Sequence, residues 1–161
     1  MTHITSIREI GRGLTLTPMP DYDTDEGMPP ELPFGWSMLA VVGEVPAGLP
    51  IEAIQDDNVG QIVVPSRMIA GRRTFGLRVK GDSMSPEILP GDDVVVCQDR
   101  EAHNSDLVVA RVDGEVTLKR LFLRDDRMIL QPVNPAYEPI LADPKEVEIV
   151  GVVIMVSRRY R

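Results

Sequence analysis

Between Thr74 and Val156 the chain repeats one pattern: a short apolar run closed by a turn of Gly, Asp, Asn, Ser or Pro. The runs are Thr74–Val79, Asp93–Gln98, Leu107–Val112, Glu115–Leu123, Met128–Gln131 and Val147–Val156. Among the turns between them are Pro90-Gly91-Asp92, His103-Asn104-Ser105, Asp113-Gly114 and Asp125-Asp126. Apolar and polar residues alternate with period two inside these runs, which is the period of a strand. Asp113-Gly114 between two alternating runs is the clearest hairpin signal in the chain. Strands this closely spaced leave no room for crossover helices, so the pattern predicts a mostly-β fold of short twisted strands rather than a βαβ fold.

With 161 residues, 43% of them hydrophobic, the chain can bury one core. Aromatic residues make up only 4%, so that core must rest on Val, Ile, Leu and Met. A net charge of −8 argues against holding nucleic acid by bulk charge. The single cysteine, Cys97, excludes an internal disulfide framework and fits a reducing compartment; following Val94-Val95-Val96, it reads as a core residue. No apolar run reaches the roughly 18–20 residues of a spanning helix, and no signal peptide opens the chain, so a soluble cytoplasmic protein is expected. His3 and His103 lack metal-ligand spacing, and neither a metal nor a cofactor is expected. Arg72-Arg73 and Arg158-Arg159-Tyr160-Arg161 read as solvated basic ends.

Residues 1–40 differ from the rest of the chain. Pro18, Pro20, Pro29, Pro30 and Pro33 stand among acids and glycines without helical periodicity; the pattern allows short strands at Ile4–Ile10 and Gly13–Thr17, but the segment reads as an acidic, extended arm. Phe34 and Trp36 are expected to pin its end to an apolar surface. Residues 41–161 then form the folded part. At its start, Pro46-Ala47-Gly48-Leu49-Pro50 places prolines on both sides of Ala47-Gly48, favouring extended backbone over helix. An extended loop over residues 41–50 is the form that a peptidase cleft accepts.

Two residues carry the chemistry. Ser83 sits in Gly81-Asp82-Ser83-Met84, directly after the first long alternating run; by itself this is an ordinary turn. Lys119 lies 36 positions later in Val116-Thr117-Leu118-Lys119-Arg120-Leu121, where period two puts it on one face with Thr117 and Leu121. A lysine desolvated on such a face loses pKa and can serve as the base for a serine nucleophile. Residue chemistry alone makes the dyad plausible and no more.

From about Val41 onward the chain resembles the LexA/UmuD family of self-cleaving serine–lysine peptidases. The resemblance is carried by Val-Pro-Ala-Gly at 45–48, Val-Lys-Gly-Asp-Ser-Met at 79–84, Leu-Pro-Gly-Asp-Asp-Val-Val-Val at 89–96 and Asp-Leu-Val-Val-Ala at 106–110. It continues with Asp-Gly-Glu-Val-Thr-Leu-Lys-Arg-Leu at 113–121, Pro-Val-Asn-Pro-Ala-Tyr-Glu-Pro-Ile at 132–140 and Gly-Val-Val-Ile at 151–154. It implies Ser83 as nucleophile, Lys119 as general base and Ala47-Gly48 as the bond that the protein cuts in itself; Gly48 stands 35 positions before Ser83. The backbone N–H groups of Asp82 and Ser83 are candidates for the oxyanion hole.

Further implications are a homodimer, a damage-response role and stimulation by a RecA–single-stranded-DNA filament. The short N-terminal segment carries no two amphipathic helices, so direct DNA binding is not expected. That layout resembles UmuD, accessory to a Y-family translesion polymerase, while the Ala-Gly bond is the choice of a LexA-type repressor, the alternative. A general peptidase resembling signal peptidase is disfavoured by the lack of a membrane anchor.

Overall fold

A computed structural model describes residues 5–10, 13–18, 32–43 and 58–160, with side chains placed at 32–43 and 60–160. The chain divides into two units, Met1–Pro33 and Phe34–Arg161. In the first, β1 (Thr5–Ile10) pairs antiparallel with β2 (Gly13–Pro18), Ile10 opposite Gly13. Two strands, at positions where the sequence allowed them within the arm, thus form a hairpin. Residues 44–57, which hold Ala47 and Gly48, lie outside the described residues.

The second unit holds β3 (Trp36–Val42), β4 (Asn58–Pro65), α1 (Ser66–Ile69), β5 (Thr74–Arg78), β6 (Asp93–Cys97), β7 (Leu107–Val112), β8 (Glu115–Arg124), β9 (Arg127–Gln131), β10 (Ile140–Ala142) and β11 (Val147–Ser157). They make one sheet in the order β10-β9-β8-β7-β11-β6-β5-β3-β4. Every neighbouring pair is antiparallel except β3 with β5. The mostly-β expectation therefore holds, and all six strands predicted between Thr74 and Val156 are present within one residue at each end. Asp113 and Gly114 turn the β7–β8 hairpin with φ of +51° and +83°, the left-handed pair that a tight hairpin turn demands.

Val, Ile, Leu and Met do fill the core. Val94, Val96 and Val109 pack with Phe75, Leu77, Met84 and Ile88, while Val108, Leu121, Leu130 and Val152 form a second cluster. Cys97 is buried on β6, as expected of a core residue. Central strand β11 serves two partners, pairing with β7 through its first half and with β6 through its second. The change of partner centres on Gly151, where a Cβ would lie 2.7 Å from Val96 Cγ1 and 2.8 Å from the Cys97 carbonyl oxygen. Only a residue without a side chain lets β6 come this close. Gly76 does the same for the parallel junction, where a Cβ would meet Val41 Cγ2 at 2.8 Å.

Three expectations need correction. β3 begins at Trp36, so the sheet takes in residues that the sequence assigned to the arm. Phe34 is fully exposed and packs on no apolar surface among the described residues, while Trp36, 47% exposed, is only half covered. The C-terminal arginines are not simply solvated, because Arg158 Nη2 lies 2.6 Å from Asp92 Oδ2 and Arg159 Nη2 lies 3.7 Å from Asp93 Oδ2. Both aspartates are buried, and a buried carboxylate requires such a counter-charge.

Candidate active site

Ser83 is placed by a loop that leaves β5 and returns to β6. The loop closes on itself where Val79 N–H donates to Asp92 O at 2.8 Å and Gly91 N–H donates to Val79 O at 2.9 Å. Gly81 enters the turn at φ +76°, a left-handed conformation that glycine adopts without strain. Directly after Ser83, the buried Met84 and Ile88 drop into the core and hold the loop from beneath. Ser83 itself is half-buried between an exposed Asp82 and buried Met84.

Lys119 arrives from β8, opposite Val108 of β7. Its Nζ lies 2.9 Å from Ser83 Oγ, 2.6 Å from Thr117 Oγ1 and 3.0 Å from the Leu118 carbonyl oxygen. The side chain is buried, and no carboxylate pairs with it among the described residues. Desolvation without a counter-charge pushes its ammonium pKa below the usual lysine range. A neutral amine has two N–H groups and one lone pair. As an ammonium, Nζ donates to all three oxygens; in the neutral form, with Thr117 Oγ1 and Leu118 O accepting the two N–H groups, the lone pair would be left for the Ser83 hydroxyl. The face shared by Thr117, Lys119 and Leu121 is thus the one that the period-two reading assigned, with Leu121 buried beside them.

The backbone around Ser83 is held from the segment after β9. Val133 N–H and Asn134 N–H both donate to Ser83 O, at 3.1 and 3.0 Å. Asn134 Nδ2 donates to Asp82 O at 3.1 Å, and the Tyr137 hydroxyl donates to Asp82 Oδ1. This bond holds the Tyr137 phenol above its ordinary pKa. The N–H groups of Asp82 and Ser83 donate to no protein acceptor among the described residues. Asn134 and Tyr137 were visible in the sequence only as part of a family-like motif, with no role attached.

The fold and site define a β-sheet protein that sets a buried lysine against a serine held on a pinned loop. The comparisons agree on which family this is. The Peptidase S24-like family matches residues 40–154. The chain is 46% identical over 125 residues to the LexA repressor of Syntrophotalea carbinolica, covering 76% of this chain and 61% of that protein. It is 47% identical over 124 residues to the LexA repressor of Citrifermentans bemidjiense, covering 75% and 61%. It is 43% identical over 118 residues to that of Magnetococcus marinus, covering 72% and 50%. The chain belongs to the Peptidase S24-like family, the LexA/UmuD family of the sequence resemblance. It spans between 50% and 61% of the length of these three relatives.

Proposed function

We propose that this protein is a self-cleaving serine–lysine peptidase that cuts its own Ala47–Gly48 bond and so acts as a LexA-type switch in the response to DNA damage. The observation that carries it is the 2.9 Å approach of the buried Lys119 Nζ to Ser83 Oγ, with both amine N–H groups accepted elsewhere. Neutral Lys119 takes the Ser83 proton as Oγ attacks the Ala47 carbonyl carbon. The N–H groups of Asp82 and Ser83, without an acceptor among the described residues, are the donors offered to the oxyanion. As the Ala47–Gly48 C–N bond breaks, Lys119 returns the proton to the Gly48 amine. Water, deprotonated in turn by Lys119, then releases Ala47 from Ser83. Because the substrate belongs to the same chain, an effective molarity on the order of 10⁵ M is within reach for a docked bond. A brake is therefore needed, and either an undocked loop or a protonated Lys119 supplies one. A RecA–single-stranded-DNA filament would act by favouring the docked loop, only to the extent that it binds that state better.

The names of the relatives support the repressor over the polymerase-accessory reading, reversing the order that the layout of residues 1–47 suggested. That layout, acidic and rich in proline, is what keeps the accessory reading as the second. In either role the protein is taken to act as a homodimer. Incubation with RecA, an ATP analogue and single-stranded DNA should yield fragment 48–161 from wild type and none from Ser83→Ala or Lys119→Ala. An intact wild-type chain under both activation and alkaline conditions would sink the proposal. A gel shift with promoter fragments separates the two roles, since the repressor should retard its operator and the accessory subunit should not.

A further inference from the structure

We propose that the segment Pro132-Val133-Asn134-Pro135-Ala136-Tyr137 is a strap that aims the Ser83 N–H at the reacting carbonyl, with Asn134 and Tyr137 as positioning residues. The inference rests on the reading of Ser83 as nucleophile and adds what makes its backbone fit for that work.

Four hydrogen bonds run from this strap to Asp82 and Ser83, residues fifty or more positions earlier. Two of them, from Val133 N–H and Asn134 N–H, saturate the Ser83 carbonyl. A third, from Asn134 Nδ2, joins Ser85 N–H on the Asp82 carbonyl, at 3.1 and 3.0 Å. The fourth ties the Asp82 carboxylate to Tyr137. Peptide planarity turns these contacts into a statement about donors. In a trans peptide, C=O and N–H point in opposite directions. The one cis bond among the described residues is Ser85–Pro86, so the Asp82–Ser83 peptide is trans. With the Asp82 carbonyl held by Asn134 and Ser85, the Ser83 N–H faces away from both, and no protein acceptor among the described residues takes it. An oxyanion donor must be oriented before the charge develops, because rotating it during the reaction would cost the stabilisation that it provides.

The strap is itself stiff. Asn134 Oδ1 accepts from Ala136 N–H at 3.0 Å, and Tyr137 N–H donates to Asn134 O at 3.1 Å. Prolines at 132 and 135 fix φ on either side of Asn134. The raised phenol pKa keeps the Tyr137 donor protonated in the alkaline range where Lys119 becomes neutral.

Self-cleavage of wild type, Ser83→Ala, Tyr137→Phe, Asn134→Ala and the double variant is followed on denaturing gels between pH 7 and 10, with a melting curve for each. Tyr137→Phe should lower the plateau rate about threefold to tenfold, and the double variant about a hundredfold, within the range for a lost oxyanion donor. The midpoint of the pH profile should stay at the wild-type value, because Lys119 is untouched. Wild-type plateau rates in both single variants and the double variant would overturn the inference. So would a lowered rate with a displaced midpoint, which would place the effect on Lys119. If Asn134→Ala fails to fold, Tyr137→Phe decides alone, since it removes one hydroxyl from a ring 44% exposed. A wild type uncut at every pH, like Ser83→Ala, would remove the reading of Ser83 itself.

Discussion

Thr117 Oγ1 lies 2.6 Å from Lys119 Nζ, closer than Ser83 Oγ at 2.9 Å. The threonine is therefore the nearest polar partner of the candidate base, and in the neutral form it would fix which way the lone pair faces. Thr117→Val keeps the shape of the strand and removes the acceptor. A hydrogen bond of about 1 kcal/mol corresponds to roughly a fivefold slower plateau rate of self-cleavage. The lost bond is stronger to the ammonium than to the amine, so the pH midpoint should move down. An upward shift would contradict this assignment.

Lys119 has its pKa lowered by burial, and the sign of two pH effects follows. Cleavage should accelerate as pH rises through the folded-state pKa, which lies below the ordinary lysine value of 10.5. A rate flat from pH 7 to 10 would remove Lys119 as the base. In the same window the unfolded chain binds more protons than the folded one, so stability rises with pH from the folded pKa up to the unfolded one. Lys119→Met should melt higher than wild type at pH 7, and the advantage should narrow towards pH 10.

Arg158 is the main reason that the Asp92 carboxyl is held below its usual range. A depressed carboxylate contributes stability that is present above the unfolded pKa and is lost as pH falls through the folded one. Arg158→Ala should lower the melting temperature at neutral pH and flatten its decline as pH falls below the ordinary carboxylate value of 3.8. Melting curves across that range would show it, and an unchanged acid limb would assign the effect elsewhere.

Gly151→Ala and Gly76→Ala each push a methyl group into occupied space, against Val96 and Cys97 in one case and Val41 and Ala40 in the other. Overpacking of this kind costs about 1–3 kcal/mol, measurable by urea unfolding. Gly76→Ala should in addition slow self-cleavage, because the chain runs from that junction directly on to Ala47.

The strands from Thr74 onward were legible because period-two alternation and Gly/Asp turns are local signals that survive in the linear chain. β10, at Ile140–Ala142, was not, since three residues after a proline carry no periodicity. The parallel union of β3 with β5 was hidden for a different reason: it depends on how closely two distant backbones approach at Gly76. At the site, Ser83 and Lys119 were legible from turn, face and family-like motifs. Asp92 with Arg158, and Asp82 with Tyr137, were not, because partners 66 and 55 positions apart leave no trace in local spacing.

The place of β3 in the sheet decides what a cut at Ala47 would accomplish. Residues 36–42 would belong to the N-terminal fragment, yet their ladder runs to β4 on one side and β5 on the other, both of which would lie in the C-terminal fragment. Leu39, Val41 and Val42 are buried there. Breaking one peptide bond therefore nicks the molecule without dividing it. The two pieces would part only when a strand is drawn out of the sheet, so the interval between scission and separation is set by strand extraction and not by the chemistry at Ser83.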